Sequence, residues 1–371
     1  MNNKKIGILT FHQALSYGAK LQAYALQTFM NNNGIENEII DYTCPFMYSH
    51  LIRPIRFGKT HKTKAILRSF LTMRQTGIDR RKSVAFRTKY MKLSRPFNEK
   101  NISEAKDEYA AFIAGSDQVW SPVCVGGDPV YFLNFALPEQ KYSYAASIGE
   151  KELAPDKAEN FKKLLSDFQR FSVREESAAA IIKNLLGRES TINVDPTLLL
   201  KAEEWDKIAT PVKNINPDEP YIFLFNVKTP KNLFAYAKRL GKKTGCKIYS
   251  IQKNRRNRVK GVNYLDPVTA NEFVWLIKNA RYVVTNSFHG TAFSIIYKKD
   301  YAIEFDYLGG RNNRSEELMA DLGISGREIT ASTDPNPESP VDWDSVEKKL
   351  ALHRQSSLDY LNTVKKDVYG L

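Results

Sequence analysis

Short apolar runs and amphipathic stretches alternate along this chain, and their order predicts its architecture. Lys5-Ile6-Gly7-Ile8-Leu9-Thr10 reads as a buried strand. Leu21, Tyr24, Ala25, Leu26 and Phe29 then recur at helical spacing up to Asn33-Gly34, a natural helix end. Glu38–Tyr42 supplies the next strand, and a β-loop-α-β opening is how a parallel, doubly wound sheet begins. Strands are predicted again at Ala111–Ala114, Tyr142–Ile148, Phe168–Val173 and Thr191–Val194, with a helix from Glu175 to Leu186. Near Asp218-Glu219-Pro220 the pattern restarts. Tyr221–Val227, Lys247–Ile251, Tyr282–Thr285 and Tyr301–Glu304 read as strands, separated by helices at Leu233–Lys243, Asn271–Lys278 and from about Gly290. Val341–Tyr369 reads as one or two closing helices.

A chain of 371 residues exceeds one comfortable core, which favours two domains of roughly 150–200 residues. The boundary falls between about 200 and 220, where Pro211, Pro217 and Pro220 make the chain linker-like. The expected layout has an N-terminal Rossmann-like domain over 1–205 with a basic helical insertion at about 50–105. A C-terminal Rossmann-like domain over 206–330 and a helical tail over 331–371 follow. The fold class is α/β, two doubly wound domains facing a cleft, where open α/β sheets bind ligands.

Charge changes this picture at one place. The formal net charge is +14, and between Arg53 and Lys92 thirteen Lys/Arg stand against one acid, Asp79. Such a segment suits an anionic surface or an acidic substrate, or simply a solvated helical face. Charge alone permits nucleic acid, but no recognised DNA- or RNA-binding module accompanies it. No apolar run approaches the ~20 residues of a membrane span. The N-terminus lacks the apolar core of a signal peptide, and three scattered cysteines (Cys44, Cys124, Cys246) offer neither a disulfide framework nor a zinc site. The expected compartment is the cytoplasm, with no metal and no cofactor.

The strand ends carry the candidate chemistry. Asn286-Ser287-Phe288-His289-Gly290-Thr291 follows one strand and opens a helix. Its N-terminus is an anion site, Ser287 or Asn286 can cap it, Gly290 allows close backbone approach, and His289 offers a proton near neutral pH. A packed histidine that only orients the loop is the competing reading. Gly115-Ser116-Asp117-Gln118-Val119-Trp120 offers Asp117 as acid, base or hydroxyl ligand and Trp120 as a sugar-stacking face, against an Asx-turn with a core tryptophan. Arg174 can clamp a carboxylate or phosphate, or pair with Glu175 or another acid; Asp195-Pro196 reads as a structural cap. Arg311 with Arg314, and the basic stretch Lys253–Lys260, suit a phosphorylated donor or ordinary surface, while Phe11-His12 and Ser16-Tyr17-Gly18 lie at the first strand's tip and face the same cleft. No GxGxxG, P-loop, HExxH or GxSxG signals nucleotide or metal chemistry.

Assembled in order, these junctions resemble the polysaccharide pyruvyl transferase family. The resemblance rests on Lys5–Thr10 with Tyr17–Leu26, Gly115–Trp120, Ser143–Ser147, Ser172–Glu175, Asp195–Thr197 and Ser287–Thr291, and it spans about residue 5 to residue 325. It implies a fold like the two-domain GT-B glycosyltransferases. It also implies transfer of pyruvate from phosphoenolpyruvate (PEP) to two hydroxyls of a sugar, as a cyclic ketal. His289 then becomes the first choice for acid/base work and Asp117 the second. Arg174, Ser287, Gly290, Ser116, Trp120, His12, Tyr17, Arg311 and Arg314 become candidate substrate contacts. Some members carry Ser-Arg-Leu-His where this chain has Ser287-Phe288-His289, so an anion clamp must come here from Arg174, Arg311, Arg314 or the helix terminus. The expected acceptor is a sugar or lipid-linked oligosaccharide precursor of a cell-surface polysaccharide such as a capsule. Ile66, Leu67, Phe70 and Leu71 within the basic segment would rest on an anionic inner-membrane face. Glycosyl transfer from a nucleotide sugar and a non-catalytic binding role are the rival readings.

Overall fold

Strand β1 (Ile6–Leu9) is buried at all positions, as a central strand covered on both faces must be. The computed structural model describes residues 5–47, 77–227, 230–251, 258–305 and 314–371. β1 pairs in parallel with β2 (Asn37–Tyr42) on one side and β4 (Ala111–Ala114) on the other; β3 (Leu93–Phe97) and β5 (Lys141–Ser143) complete the order β3-β2-β1-β4-β5. The short parallel pair β6 (Ser172–Val173) and β7 (Thr191–Ile192) continues beyond β5 through bridges at Tyr142–Arg170 and Ala146–Val173. Helix α1 (Tyr17–Asn32) starts on the cap Ser16 and ends at Asn33 and Gly34, whose φ of 67° is the left-handed end predicted there.

The second domain repeats the design. β8 (Tyr221–Phe225), β9 (Lys247–Ser250), β10 (Asn263–Tyr264), β11 (Tyr282–Thr285) and β12 (Asp300–Ile303) form a parallel sheet in the order β10-β9-β8-β11-β12. The other described helices of eight or more residues are α2 (residues 77–90), α3 (Pro155–Leu165), α4 (Glu176–Leu186), α5 (Leu233–Thr244), α6 (Ala270–Asn279), α7 (Phe288–Ile296), α8 (Arg314–Leu322) and α9 (Trp343–Tyr369). The closing segment is thus one helix. It ties back to the first domain through Tyr360 to the Ser143 carbonyl (2.7 Å), Arg354 to the Leu198 carbonyl (2.9 Å) and the Arg170–Asp367 pair.

One expectation changes. Within the region read as an insertion, Leu93–Phe97 forms edge strand β3, and Phe86 and Met91 join the main core. From residue 77 onward that segment therefore belongs to the first domain. The proposed membrane stripe Ile66/Leu67/Phe70/Leu71 lies outside the described residues. Among the described residues, no helix is long and apolar enough to cross a membrane.

One apolar cluster joins the two domains. Tyr17, from the first, stacks on Phe273, from the second, with ring centroids 5.0 Å apart and planes within 5°. Trp205 is fully buried between Tyr24 (5.7 Å) and Phe293 (4.8 Å), and its indole N–H donates to the Thr197 carbonyl at 3.2 Å. Replacing Trp205 with Ala should cost about 3–5 kcal/mol, read as a lower urea midpoint by far-UV circular dichroism.

Candidate active site

In each sheet the strand order reverses at one point, between β1 and β4 in the first and between β8 and β11 in the second. Loops leaving the carboxyl ends of those strands are where such sheets bind ligands. His289 stands on the second residue of α7, directly after β11. The local sequence builds that turn closely. Ser287 caps the helix by accepting from the Gly290 N–H at 3.4 Å, and Thr285 Oγ1 accepts from the Ser287 N–H (3.0 Å) and donates to the Phe225 carbonyl (2.7 Å). A Cβ on Gly290 would lie 2.3 Å from Thr285 Oγ1, so only glycine lets the helix start there. Ser287 and Gly290, expected as substrate contacts, shape the turn instead of extending a side chain from it.

Across the cleft, a Cβ on Gly18 would lie 2.1 Å from His289 Nδ1. The first turn of α1 thus packs flat against the imidazole, and this joins the Tyr17-Gly18 and Phe288-His289 motifs.

The charged groups meet on the first domain's side. Arg174 follows β6, is nearly buried and donates to Asp195 Oδ2 at 2.5 Å; its other nitrogens lie 3.8 Å from Asp117 and from Glu175. Asp195 is fully buried, accepts from Thr197 N (3.0 Å) and Oγ1 (2.7 Å), and lies 3.8 Å from His289 Nε2. Arg314, at the start of α8, reaches Asp117 at 3.8 Å. The Phe288 ring lies beside both guanidinium groups, 5.3 Å from Arg174 and 5.2 Å from Arg314. Among the described residues, His289 Nε2, Arg174 Nε and Nη2, and Arg314 Nη1 are buried without a hydrogen-bond partner.

The family model for polysaccharide pyruvyl transferase matches residues 17–299, a span that contains every one of these groups except Arg314. The chain belongs to the polysaccharide pyruvyl transferase family. No curated protein matches it significantly. The UDP-GlcNAc 2-epimerase of Neisseria meningitidis, solved bound to UDP-GlcNAc, is similar at a TM-score of 0.53 and 10% identity over 98% of this chain and 100% of that one. The UDP-GlcNAc 2-epimerase of Methanocaldococcus jannaschii reaches 0.46 at 11% identity, over 97% and 99%. The glycosyltransferase SnogD of Streptomyces nogalater reaches 0.40 at 9%, over 96% and 95%. At 10% identity the first of these speaks for the fold alone, a two-domain GT-B architecture that the two parallel sheets share.

In this pyruvyl transferase family member the electrostatics divide the roles. Burial pushes His289 below its usual value, and Arg314 and Arg174 add to that against Asp195 and Asp117, so the resting imidazole is neutral. Asp195 is raised by burial, but the Arg174 charge and the bonds from Thr197 outweigh this and hold it below the usual carboxylate range. Burial lowers Arg174, yet Asp195, Glu175 and Asp117 more than offset it, whereas Arg314 is held down by burial and by Arg174.

The remaining expected contacts fall into three groups. Asp117 is at the centre, in a left-handed conformation (φ 74°), with Oδ1 accepting from the Gln118 N–H at 2.9 Å. Ser116 and Tyr17 are buried instead: Ser116 Oγ donates to the Ala145 carbonyl (3.1 Å), and Tyr17 packs in the domain interface. His12 lies apart, on Asp41. Trp120 corrects the expectation of a stacking face. It is fully buried, stacked on Phe132, with its indole N–H given to the Tyr131 carbonyl at 3.2 Å. Arg311 and residues 252–257 lie outside the described residues. Asp195, read only as a cap, and Phe288 are the site residues that sequence reasoning missed, whereas Glu175 stands beside Arg174 as the pairing alternative had it. Among the described residues, no group of three or more His, Cys, Asp and Glu side chains is arranged for a metal ion.

Gly18→Ala should drive the imidazole off its seat. Activity is expected to fall at least ~100-fold, because ångström misplacement of a reacting group costs that much. The melting temperature should drop by only a few degrees, and steady-state rates beside a thermal melt separate the two effects.

Proposed function

We propose that this family member transfers pyruvate from PEP to two hydroxyls of a sugar, forming a cyclic ketal and releasing phosphate. The observation that carries this reading is the set of buried donors without partners on Arg174, Arg314 and His289, grouped about Phe288. Buried guanidinium N–H groups need acceptors, and a small, multiply charged anion with carboxylate and phosphate oxygens supplies them.

The chemistry then follows from the groups present. A proton added to the methylene carbon of PEP leaves a cationic centre at C2. A sugar hydroxyl attacks that centre, forming a C–O bond and giving up its proton. The C2–O bond to phosphate breaks and phosphate departs with the bonding electrons; the second hydroxyl adds to the C2 cation so formed, gives its proton to the departing phosphate, and closes the ketal. His289 is neutral before PEP arrives, and the incoming anion favours its protonated form, so it can collect the proton that the enol carbon requires. Asp117, on the opposite lip between Arg174 and Arg314, is placed to accept a hydroxyl proton. Asp195 holds Arg174 and faces His289 from below, which suits orienting and charge balance better than proton transfer.

Nucleotide-sugar use is the rival reading, and one observation weighs against it. Helix α5, which follows β8 at the switch point, presents the N–H groups of Lys231 (2.8 Å), Asn232 (3.0 Å) and Leu233 (2.6 Å) to the chain's own Glu304 carboxylate. An anion position that a diphosphate could use is already filled.

Calorimetry with PEP tests the proposal. Wild-type protein should bind PEP and take up protons as it does so, seen as a binding enthalpy that changes with buffer ionisation enthalpy between pH 6 and 8. Arg174→Ala should weaken PEP binding about 10–100-fold through loss of charged hydrogen bonds. His289→Ala should abolish proton uptake and lower kcat by ~10²–10⁴-fold. Binding of nucleoside diphosphates without PEP would overturn the reading.

A further inference from the structure

The first domain carries a second polar cluster, two strands away from Asp117 and unused by the chemistry above. Its centre is Asp41, near the end of β2. Three donors converge on a single oxygen, Oδ1: His12 Nε2 at 2.8 Å, Gln13 Nε2 at 2.7 Å and Arg87 Nη1 at 3.5 Å. The Asp41 backbone N–H is also held, by Ser94 Oγ at 2.9 Å. Oδ2 receives no hydrogen bond from the described residues, and the side chain remains 21% exposed. Beside it, Arg87 Nε is buried without a partner among the described residues.

This arrangement has a chemical signature. Burial raises Asp41, but the bonds from His12 and Gln13 and the charge of Arg87 prevail and keep it ionised. Such a carboxylate is a weak base and a strong hydrogen-bond acceptor. A fixed acceptor next to an unused donor matches a hydroxyl, which both gives and accepts; a phosphate or carboxylate would be repelled by Asp41. Neutral, hydroxyl-rich ligands are what the cluster selects.

Its place relative to the reacting centre is set by the sheet. β2 and β4 flank β1, and neighbouring strands are about 4.8 Å apart, so Asp41 stands on the order of 10 Å from the Asp117 turn. Thr10 links the two. Its carbonyl lies 3.2 Å from His12 Nδ1, its hydroxyl donates to the Ser116 carbonyl at 3.0 Å, and Gln22 holds that hydroxyl at 2.8 Å.

We propose that Asp41, oriented by His12 and Gln13 and flanked by Arg87, is a sugar-hydroxyl subsite that grips the acceptor one residue beyond the diol that receives pyruvate. The inference rests on the acceptor being a sugar, as proposed above. It does not depend on the donor being PEP.

Saturation-transfer NMR with methyl glycosides of glucose, galactose, mannose, N-acetylglucosamine and N-acetylmannosamine tests it, with and without PEP. Wild-type protein is expected to engage at least one glycoside. Asp41→Ala should lose that signal or weaken it at least 10-fold and leave PEP affinity by calorimetry within twofold. Gln13→Ala, at a half-exposed site that should fold normally, is expected to weaken the signal less. Arg174→Ala should lose PEP and keep the glycoside. Asp41→Ala and Gln13→Ala that bind glycosides like the wild type, or a wild type that engages none of them, would overturn the proposal. Glycoside binding that depends on Asp41 in a protein blind to PEP would support this subsite and defeat the pyruvyl donor reading.

Discussion

A guanidinium in a protein interior has to be neutralised where it sits, and the Arg174–Asp195 pair meets that demand at 2.5 Å. Breaking such a pair by deleting one partner typically costs about 3–5 kcal/mol, because the survivor is left charged and dry. The rest of the site is arranged around this constraint. Asp195 is itself held by Thr197, so the pair is rigid on its acidic side. Arg174 gives one nitrogen to that pair and keeps the others for whatever enters the cleft. The imidazole of His289 approaches the same carboxylate from the other domain. The ion pair is therefore structural toward the sheet and chemical toward the cleft.

That geometry needs the two domains to meet within ångströms, and the packing supplies it. Gly18 removes the side chain that would displace His289, while Tyr17, its neighbour, stacks on Phe273 and so fixes the first turn of α1 against α6. Trp205 fills the space between α1 and α7 from behind. Helix α9 then crosses back from the second domain and hydrogen-bonds the ends of the first sheet. An apolar interface under a polar cleft excludes water from the base of the site, where the unpartnered donors lie, and strengthens any charge interaction made there.

Much of this was legible in the sequence because it is local. Buried strands such as Ile6–Leu9 and Tyr221–Phe225 are continuous apolar runs, and the strand-to-helix junctions carry their own caps and glycines. The failures have physical causes. β3 reads Leu-Ser-Arg-Pro-Phe, a polar sequence with a proline that only an edge strand tolerates, so no apolar pattern announced it. Trp120 sits at a strand tip, which suggests exposure, but its turn runs back into the core and carries the indole with it. Asp195 was read as a cap, and it is one; the same carboxylate has a second oxygen for Arg174, and a partner so distant in sequence leaves no local pattern. The contact of Gly18 with His289 is of the same kind.

The two helix N-termini at the second domain's switch point are treated differently, and the difference bears on what the cleft can hold. At α7 the end is closed by a neutral serine hydroxyl, with His289 beside it. At α5 three successive N–H groups are satisfied by Glu304, a carboxylate from the end of β12. A phosphate brought to the α5 end would meet the fixed negative charge of Glu304 there. A ligand whose charge is gathered in a single compact unit needs only α7 and the two arginines facing it. Of the two helix ends at this switch point, the one at α5 is thus filled by the chain's own carboxylate, and only the one at α7 has neutral partners beside it.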